Sequence, residues 1–258
     1  VASQLRDEIE ALLKEAKRLD AEPTAATLLL PTPKAIIVPH AGYCYSGKVA
    51  AAAFKQVQGR NIRRVILLGP SHRVALMGCA LPTSQVFQTP MGNIPVDQAI
   101  CHQLVEAGLG HFDDPPHRLE HSLEVQLPFL QHCLTDFEIV PIVAGLAEAK
   151  PVSDLLASLS LSSEDLLVIS TDLSHFHSYR DAKALDDKTI ARILALDTSI
   201  GPQDACGCHS VNGFLRFIQD LRQDKSLESE PNLKLLAEAN SGDTQGDRDR
   251  VVGYASFA

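Results

Sequence analysis

The chain has 258 residues, 45% hydrophobic and 21% charged, with a net charge of −9, which is enough length to bury a substantial core in one α/β domain. The acidic balance and lack of a basic run exclude a general nucleic-acid binder, which needs Lys and Arg to neutralise phosphates. No apolar run is long enough to cross a bilayer, and the opening residues lack the basic head and apolar stretch of a secretory signal, so a cytoplasmic location is expected.

Along residues 2–19, Leu5, Ile9, Leu12, Leu13, Ala16 and Leu19 share one face, the spacing of an amphipathic helix. Pro23, Pro31 and Pro33 break it, and AIIVP starts a strand that leads to His40. AGYCYSGKVAAAAFKQV then turns into an alanine-heavy helix whose small side chains allow close approach to a sheet. RVILLG at 64–69 is a second strand, and Gly69-Pro70-Ser71 forms a sharp exit that presents His72. MGCALPTSQVFQTPMGNIPVD lacks helical periodicity and reads as short strands with turns. PVDQAICHQLVEAG resumes as a helix stopped by Gly108 and Gly110.

In HRLEHSLEVQLPFLQHCL, Leu123, Leu127 and Leu130 recur at helical intervals while His121, Glu124 and Gln131 fall on other faces. A helix carrying site residues is expected there. FEIVPIVAG reads as a third strand, VSDLLASLS as a helix, and LLVIS as a fourth strand running into Thr171-Asp172-Leu173-Ser174-His175. Helices are expected at 179–196 and 203–222, then a charged surface loop around DKSLESEPN, and closing strands at 232–239 and 250–257 flanking NSGDTQGDRDR.

Three of these apolar runs end on a histidine: His40, His72 and His175. If the runs are parallel strands of one sheet, their carboxyl ends share an edge and the three rings can meet in one crevice. A single histidine past a strand is more often a loop or hydrogen-bonding residue. Three together suggest a metal site. Two histidines plus a carboxylate, with open positions, is the arrangement of non-haem iron(II) sites, and Asp243 offers a carboxylate, although NSGDTQGDRDR also reads plainly as a solvated turn. The six cysteines include no CxxC pair and read mostly as reduced core thiols. Cys206, Cys208 and His209 in ACGCHS are soft ligands close together, but a fourth is missing nearby. The pattern favours a small-residue helix start packed closely beneath a site.

VPHAGYCYSG, LLGPSH, EHSLEVQLPFL, STDLSH, CGCHS and NSGDTQGDRDRVVGYASFA, taken together over residues 36–258, resemble the Memo family, especially its bacterial and archaeal branch called AmmeMemoRadiSam system protein B. Residues 1–35 match less distinctively. The resemblance implies one domain over 1–258, folded like the class III extradiol ring-cleaving dioxygenases: a three-layer α/β/α arrangement around a central mixed, mostly parallel sheet. It implies metal ligation by His40 of PHAG and His72 of GPSH, and an acid/base role for His175 of DLSH, whose ordinary pKa suits proton transfer.

The third ligand is a glutamate in extradiol enzymes and a cysteine in the animal Memo branch, and this chain has Ser241, Gly242, Asp243 and Thr244 across the equivalent stretch. A gapless match back from Tyr254 puts Thr244 opposite the cysteine, whereas Asp243 has the better chemistry for a hard divalent ion. Asp243 is the expected ligand, with Thr244 or neither as alternatives. Around this centre His121 is a catalytic candidate, His121 and Glu124 are placed by sequence to orient ligands or bind substrate, with Glu124 equally readable as a helix-surface charge, Asp172 is expected to serve His175, and Tyr43 and Tyr45 wall the pocket or pack against the sheet.

The implied activity is that of an iron(II)-dependent oxidoreductase of extradiol-dioxygenase type, with zinc or copper as other options for the metal, acting on a small molecule or peptide. Two further readings stand beside it. One is a non-catalytic metal- or peptide-binding protein that acts with a radical SAM protein and an AMMECR-type domain; the other is a zinc hydrolase with Glu124 or His175 as base, although no HExxH helix supports it. Neither nucleic acid nor membrane is an expected partner.

Overall fold

Runs of apolar residues with no polar alternation make strands covered on both faces, and four such runs form the middle of this molecule: β1 (Ala35–Val38), β2 (Arg64–Pro70), β7 (Glu138–Ala144) and β8 (Asp165–Ser170). The computed structural model describes residues 1–17, 34–223 and 231–258. Shorter strands flank the four: β3 (Cys79–Leu81), the hairpin β4 (Val86–Thr89) and β5 (Gly92–Pro95), β6 (His111–Phe112), β9 (His175–His177), β10 (Leu235–Asn240) and β11 (Val251–Phe257). The helices are α1 (Ala2–Glu15), α2 (Tyr43–Val57), α3 (Gln98–Glu106), α4 (Pro115–Arg118), α5 (His121–Glu124), α6 (Leu127–Cys133), α7 (Ala149–Ser158), α8 (Tyr179–Leu194) and α9 (Cys208–Gln223).

The large sheet runs β10-β11-β1-β8-β2-β7-β3-β6, with β9 pairing β11 and the β4–β5 hairpin separate. Its centre, β1-β8-β2-β7, is parallel, while β11 and β3 join that centre antiparallel. The sheet is therefore mixed and mostly parallel at its core. On it, α2 packs against β1, β10 and β11 with α1 and α6 alongside, and α9 packs against β2 and β8 with α7 alongside. This is a three-layer α/β/α fold.

Strand β8 comes late in the chain yet lies between β1 and β2, so the carboxyl ends of all three strands lie side by side. At the opposite edge, Arg64 donates two hydrogen bonds to the buried Asp165 carboxylate, at 2.8 and 3.0 Å, and holds the starts of β2 and β8 in register. Among the described residues no helix is long and apolar enough to cross a membrane.

The structure departs from expectation in three places. The first helix ends at Glu15, burying Ile9 and Leu13, and Leu19 with the proline breakers lies outside the described residues, as does 224–230 of the charged loop. The helix expected over HRLEHSLEVQLPFLQHCL is the end of α4 followed by two short helices, α5 and α6, because Glu120 is extended (φ −89°, ψ 123°) and caps the next turn through the Ser122 N–H, and Pro128 lies at the start of α6. Helix α9 starts at Cys208 rather than 203, leaving Ala205, Cys206 and Gly207 in a loop over the end of β8.

Candidate metal centre

His40 follows β1 by two residues, and its ring is almost wholly buried. Its Nδ1 lies 2.8 Å from the Ser170 hydroxyl at the end of β8. That hydroxyl donates its one proton to the Ser122 carbonyl at 2.6 Å and accepts from the Gln126 amide at 3.0 Å, so it has only a lone pair for His40. Nδ1 therefore carries hydrogen, and the lone pair of the ring is on Nε2. The His40 backbone N–H donates to Asp172 Oδ1 at 2.7 Å. Burial lowers the His40 pKa to about 4; the Asp172 carboxylate opposes that shift, and His72 and His121 add to it. At neutral pH the ring is an uncharged donor.

His72, two residues past β2, is oriented by Glu120 in the same sense. Its Nδ1–H donates to Glu120 Oε1 at 2.8 Å and its backbone N–H to Oε2 at 2.7 Å, which leaves Nε2 free. The Ser122 N–H also donates to Oε1, at 2.9 Å. Burial alone pushes this carboxyl up, but the hydrogen bonds from His72 and Ser122 outweigh it and hold the pKa at about 2. His121 stacks on the His72 ring with centroids 4.7 Å apart and meets His40 edge-on at 5.5 Å. Its side chain is 45% exposed, so it stands at the opening while His40 forms the floor.

Two glycines permit these approaches. A Cβ on Gly69 would meet Ser122 Oγ at 2.7 Å and Leu123 Cδ2 at 2.8 Å, so only glycine lets α5 settle on the end of β2 and donate Ser122 Oγ–H to the Pro70 carbonyl. A Cβ on Gly207 would meet the Ser170 carbonyl at 2.6 Å and Thr171 Cβ at 2.7 Å. This contact presses the loop before α9 onto β8 and sets Cys206 Sγ 3.2 Å from His40 Nε2. The sulfur accepts the Asp172 backbone N–H at 3.3 Å. Burial, then the Asp172 carboxylate, pushes the Cys206 thiol up to about 12.

Among the described residues, two sets of potential ligand atoms lie within 4.8 Å of one another: His40, His72 and Cys206, and His72, Glu120 and His121. In ACGCHS only Cys206 takes part, since Cys208 is buried in the core and His209 Nδ1 donates to the Ala147 carbonyl. Asp172 holds His40, whereas the Nδ1 of His175 pairs with the Leu173 carbonyl at 2.8 Å. Tyr43 donates to the Val125 carbonyl and packs edge-on against Phe129; Glu124 is exposed on α5. Asp243 ends a 3-10 turn, Ser241–Asp243, where its carboxylate accepts the Asn240 N–H at 2.9 Å and the Tyr179 hydroxyl at 2.6 Å. It is not in either ligand set. The Thr244 hydroxyl donates to the Ser241 carbonyl at 3.0 Å.

One contributor escaped the sequence pattern: Glu120 stood beside the expected His121 and Glu124, and its one local signal was the capping position two residues ahead of Ser122. Cys206 was named with Cys208 and His209 as a group of soft ligands, although the pattern favoured a small-residue helix start.

A family model described as Memo-like protein matches residues 3–258. The chain belongs to the Memo family. A MEMO1 family protein of Methanosarcina mazei is 36% identical over 241 residues, covering 86% of this chain and 84% of that protein. One from Aquifex aeolicus is 33% identical over 227 residues, covering 86% and 84%, and one from Sulfurisphaera tokodaii is 35% identical over 235 residues, covering 85% and 80%. In this Memo protein the candidate centre gathers groups suited to a divalent metal at the carboxyl edge of the parallel strands, where α/β sheets place their ligands.

Proposed function

We propose that this Memo protein is an iron(II)-dependent oxidoreductase of the extradiol-dioxygenase type, with the metal held by Nε2 of His40 and Nε2 of His72. The observation that carries this is the pairing of both Nδ1–H groups, with Ser170 and with Glu120, which leaves both Nε2 lone pairs for an ion. Imidazoles fixed through the other ring nitrogen are the usual form of a metal-binding histidine, and two imidazole nitrogens suit iron, zinc or copper.

Held by His40 and His72, iron(II) would supply electrons toward dioxygen and Lewis acidity toward a diol-like substrate. His121, half exposed and stacked on His72, is placed to hold a substrate oxygen at the opening. His175 donates Nδ1–H to the Leu173 carbonyl, so its Nε2 is the nitrogen able to take and return a proton.

Metal analysis of protein purified without oxygen tests the centre. Bound iron is expected in the wild type, and His40→Ala and His72→Ala should each lose most of it; undiminished metal in both variants overturns the proposal. Oxygen uptake on adding catechol-like compounds then tests the activity. Bound metal with no uptake across such a panel favours the non-catalytic metal-binding reading.

A further inference from the structure

We infer that Gln126 is a positioning residue of the centre, whose one amide nitrogen fixes His40 through both its backbone and its ring. This rests on the two-histidine reading above and adds to it a group that touches no ion. Gln126 lies between α5 and α6 and is 1% exposed. Its Nε2 donates one hydrogen to the Pro39 carbonyl and the other to Ser170 Oγ, each at 3.0 Å. The Pro39 carbonyl belongs to the same peptide as the His40 N–H, and that N–H donates to Asp172 Oδ1. The peptide ahead of His40 is therefore held from both sides. Ser170 Oγ in turn accepts the His40 Nδ1–H at 2.8 Å.

The orientation of the amide is not free. A carbonyl only accepts, so the nitrogen of Gln126 must face Pro39, and its oxygen is turned away. Among the described residues that buried Oε1 has no hydrogen-bond partner. A buried acceptor left unpaired destabilises the fold, and a methionine of similar length would fill the space without one. The amide costs stability at the place where it holds His40, which marks it as serving the site rather than the core.

Ser170 shows why the second hydrogen matters. Its hydroxyl has one proton and two lone pairs, and Ser122, Gln126 and His40 use all three. With Gln126 in place the oxygen cannot turn without breaking a bond. Without the amide, the hydroxyl and the peptide before His40 both gain freedom, and Nε2 no longer points at one fixed spot. Partners of this kind set metal affinity through the direction of the ligand they hold.

The wild type gives the first test. Both hydrogens of the Gln126 side-chain amide are expected as separate nuclear magnetic resonance signals that exchange slowly with deuterated water; rapid exchange overturns the hold. The second test compares Gln126→Met with the wild type, using cobalt(II) alone, added without oxygen, with its affinity measured against a chelator. Affinity should fall about 10–100-fold, while the urea midpoint of the metal-free variant stays level or rises because the orphan oxygen leaves with the two donated bonds. Unchanged affinity overturns the inference. So does a midpoint lowered along with the affinity, since that assigns the amide to the fold. Combining Gln126→Met with Ser170→Ala should weaken binding by less than the product of the two single effects, because they share a path; the full product overturns the route through Ser170. Gln126→Leu serves the same comparisons if the methionine variant does not fold. Unchanged cobalt binding in His40→Ala and His72→Ala instead removes the two-histidine reading, and with it the action of Gln126 on a metal.

Discussion

Glu120 shows how one side chain can fix the chemistry of another. Its two oxygens accept three N–H groups, from the His72 ring, the His72 backbone and Ser122, and the buried carboxylate has no need of a proton. Glu120→Gln keeps the shape but replaces one acceptor oxygen by a donor NH2, which faces an N–H whichever way the amide is turned. Metal affinity is expected to fall about 10–100-fold, measured by competition with a chelator; unchanged affinity would show that His72 needs no such brace. His40 and His72 were legible in the sequence because each closes a buried apolar run. Glu120 was not, because its function depends on a residue 48 positions away that the folded chain sets beside it. Cys206 was named as a soft donor, but the partners that direct it, His40 and the Asp172 amide, lie 166 and 34 positions away.

Among the elements, the central strands follow the sequence closely because burial on both faces leaves an unbroken apolar run that no other element needs at that length. The segment from 115 to 133 follows it poorly. Its leucines recur at helical spacing, yet the short helix α5 is held by contacts outside that period: Ser122 Oγ–H to the Pro70 carbonyl, and Ser170 Oγ–H to the Ser122 carbonyl. Gly69→Ala tests this docking directly, since the added Cβ falls 2.7 Å from Ser122 Oγ and 3.1 Å from Ser122 Cβ. We expect a loss of about 1–3 kcal/mol in urea denaturation, with weakened metal retention because Glu120 immediately precedes α5. A variant as stable as the wild type would mean that α5 can shift without cost.

For the whole molecule, the pH dependence of the metal-free protein follows from His40. Its folded pKa, about 4, lies below its ordinary value of 6.5 because the ring is buried. The unfolded chain therefore binds the proton more readily, and the contribution to stability is present above pH 6.5 and lost as pH falls toward 4, on the order of 3 kcal/mol in all. Glu120, held near 2 against an ordinary 4.5, adds a further loss at lower pH in the same direction. Denaturant midpoints from pH 8 to 4 should be level at first and then decline below about 6.5; a flat profile across that window would show that His40 is not the desolvated neutral ring described above.

The placement of β8 between β1 and β2 also bears on how the protein is made. His40 leaves the ribosome early, but the hydroxyl that orients it is 130 residues later and the sulfur beside it 166 residues later. No early fragment contains the centre, so an ion that binds it selects the completed native chain, adding stability in proportion to the logarithm of free metal over the dissociation constant. If the centre holds metal as proposed, metal supply adds to the stability of finished copies, and a chain truncated before residue 170 lacks the hydroxyl that orients His40.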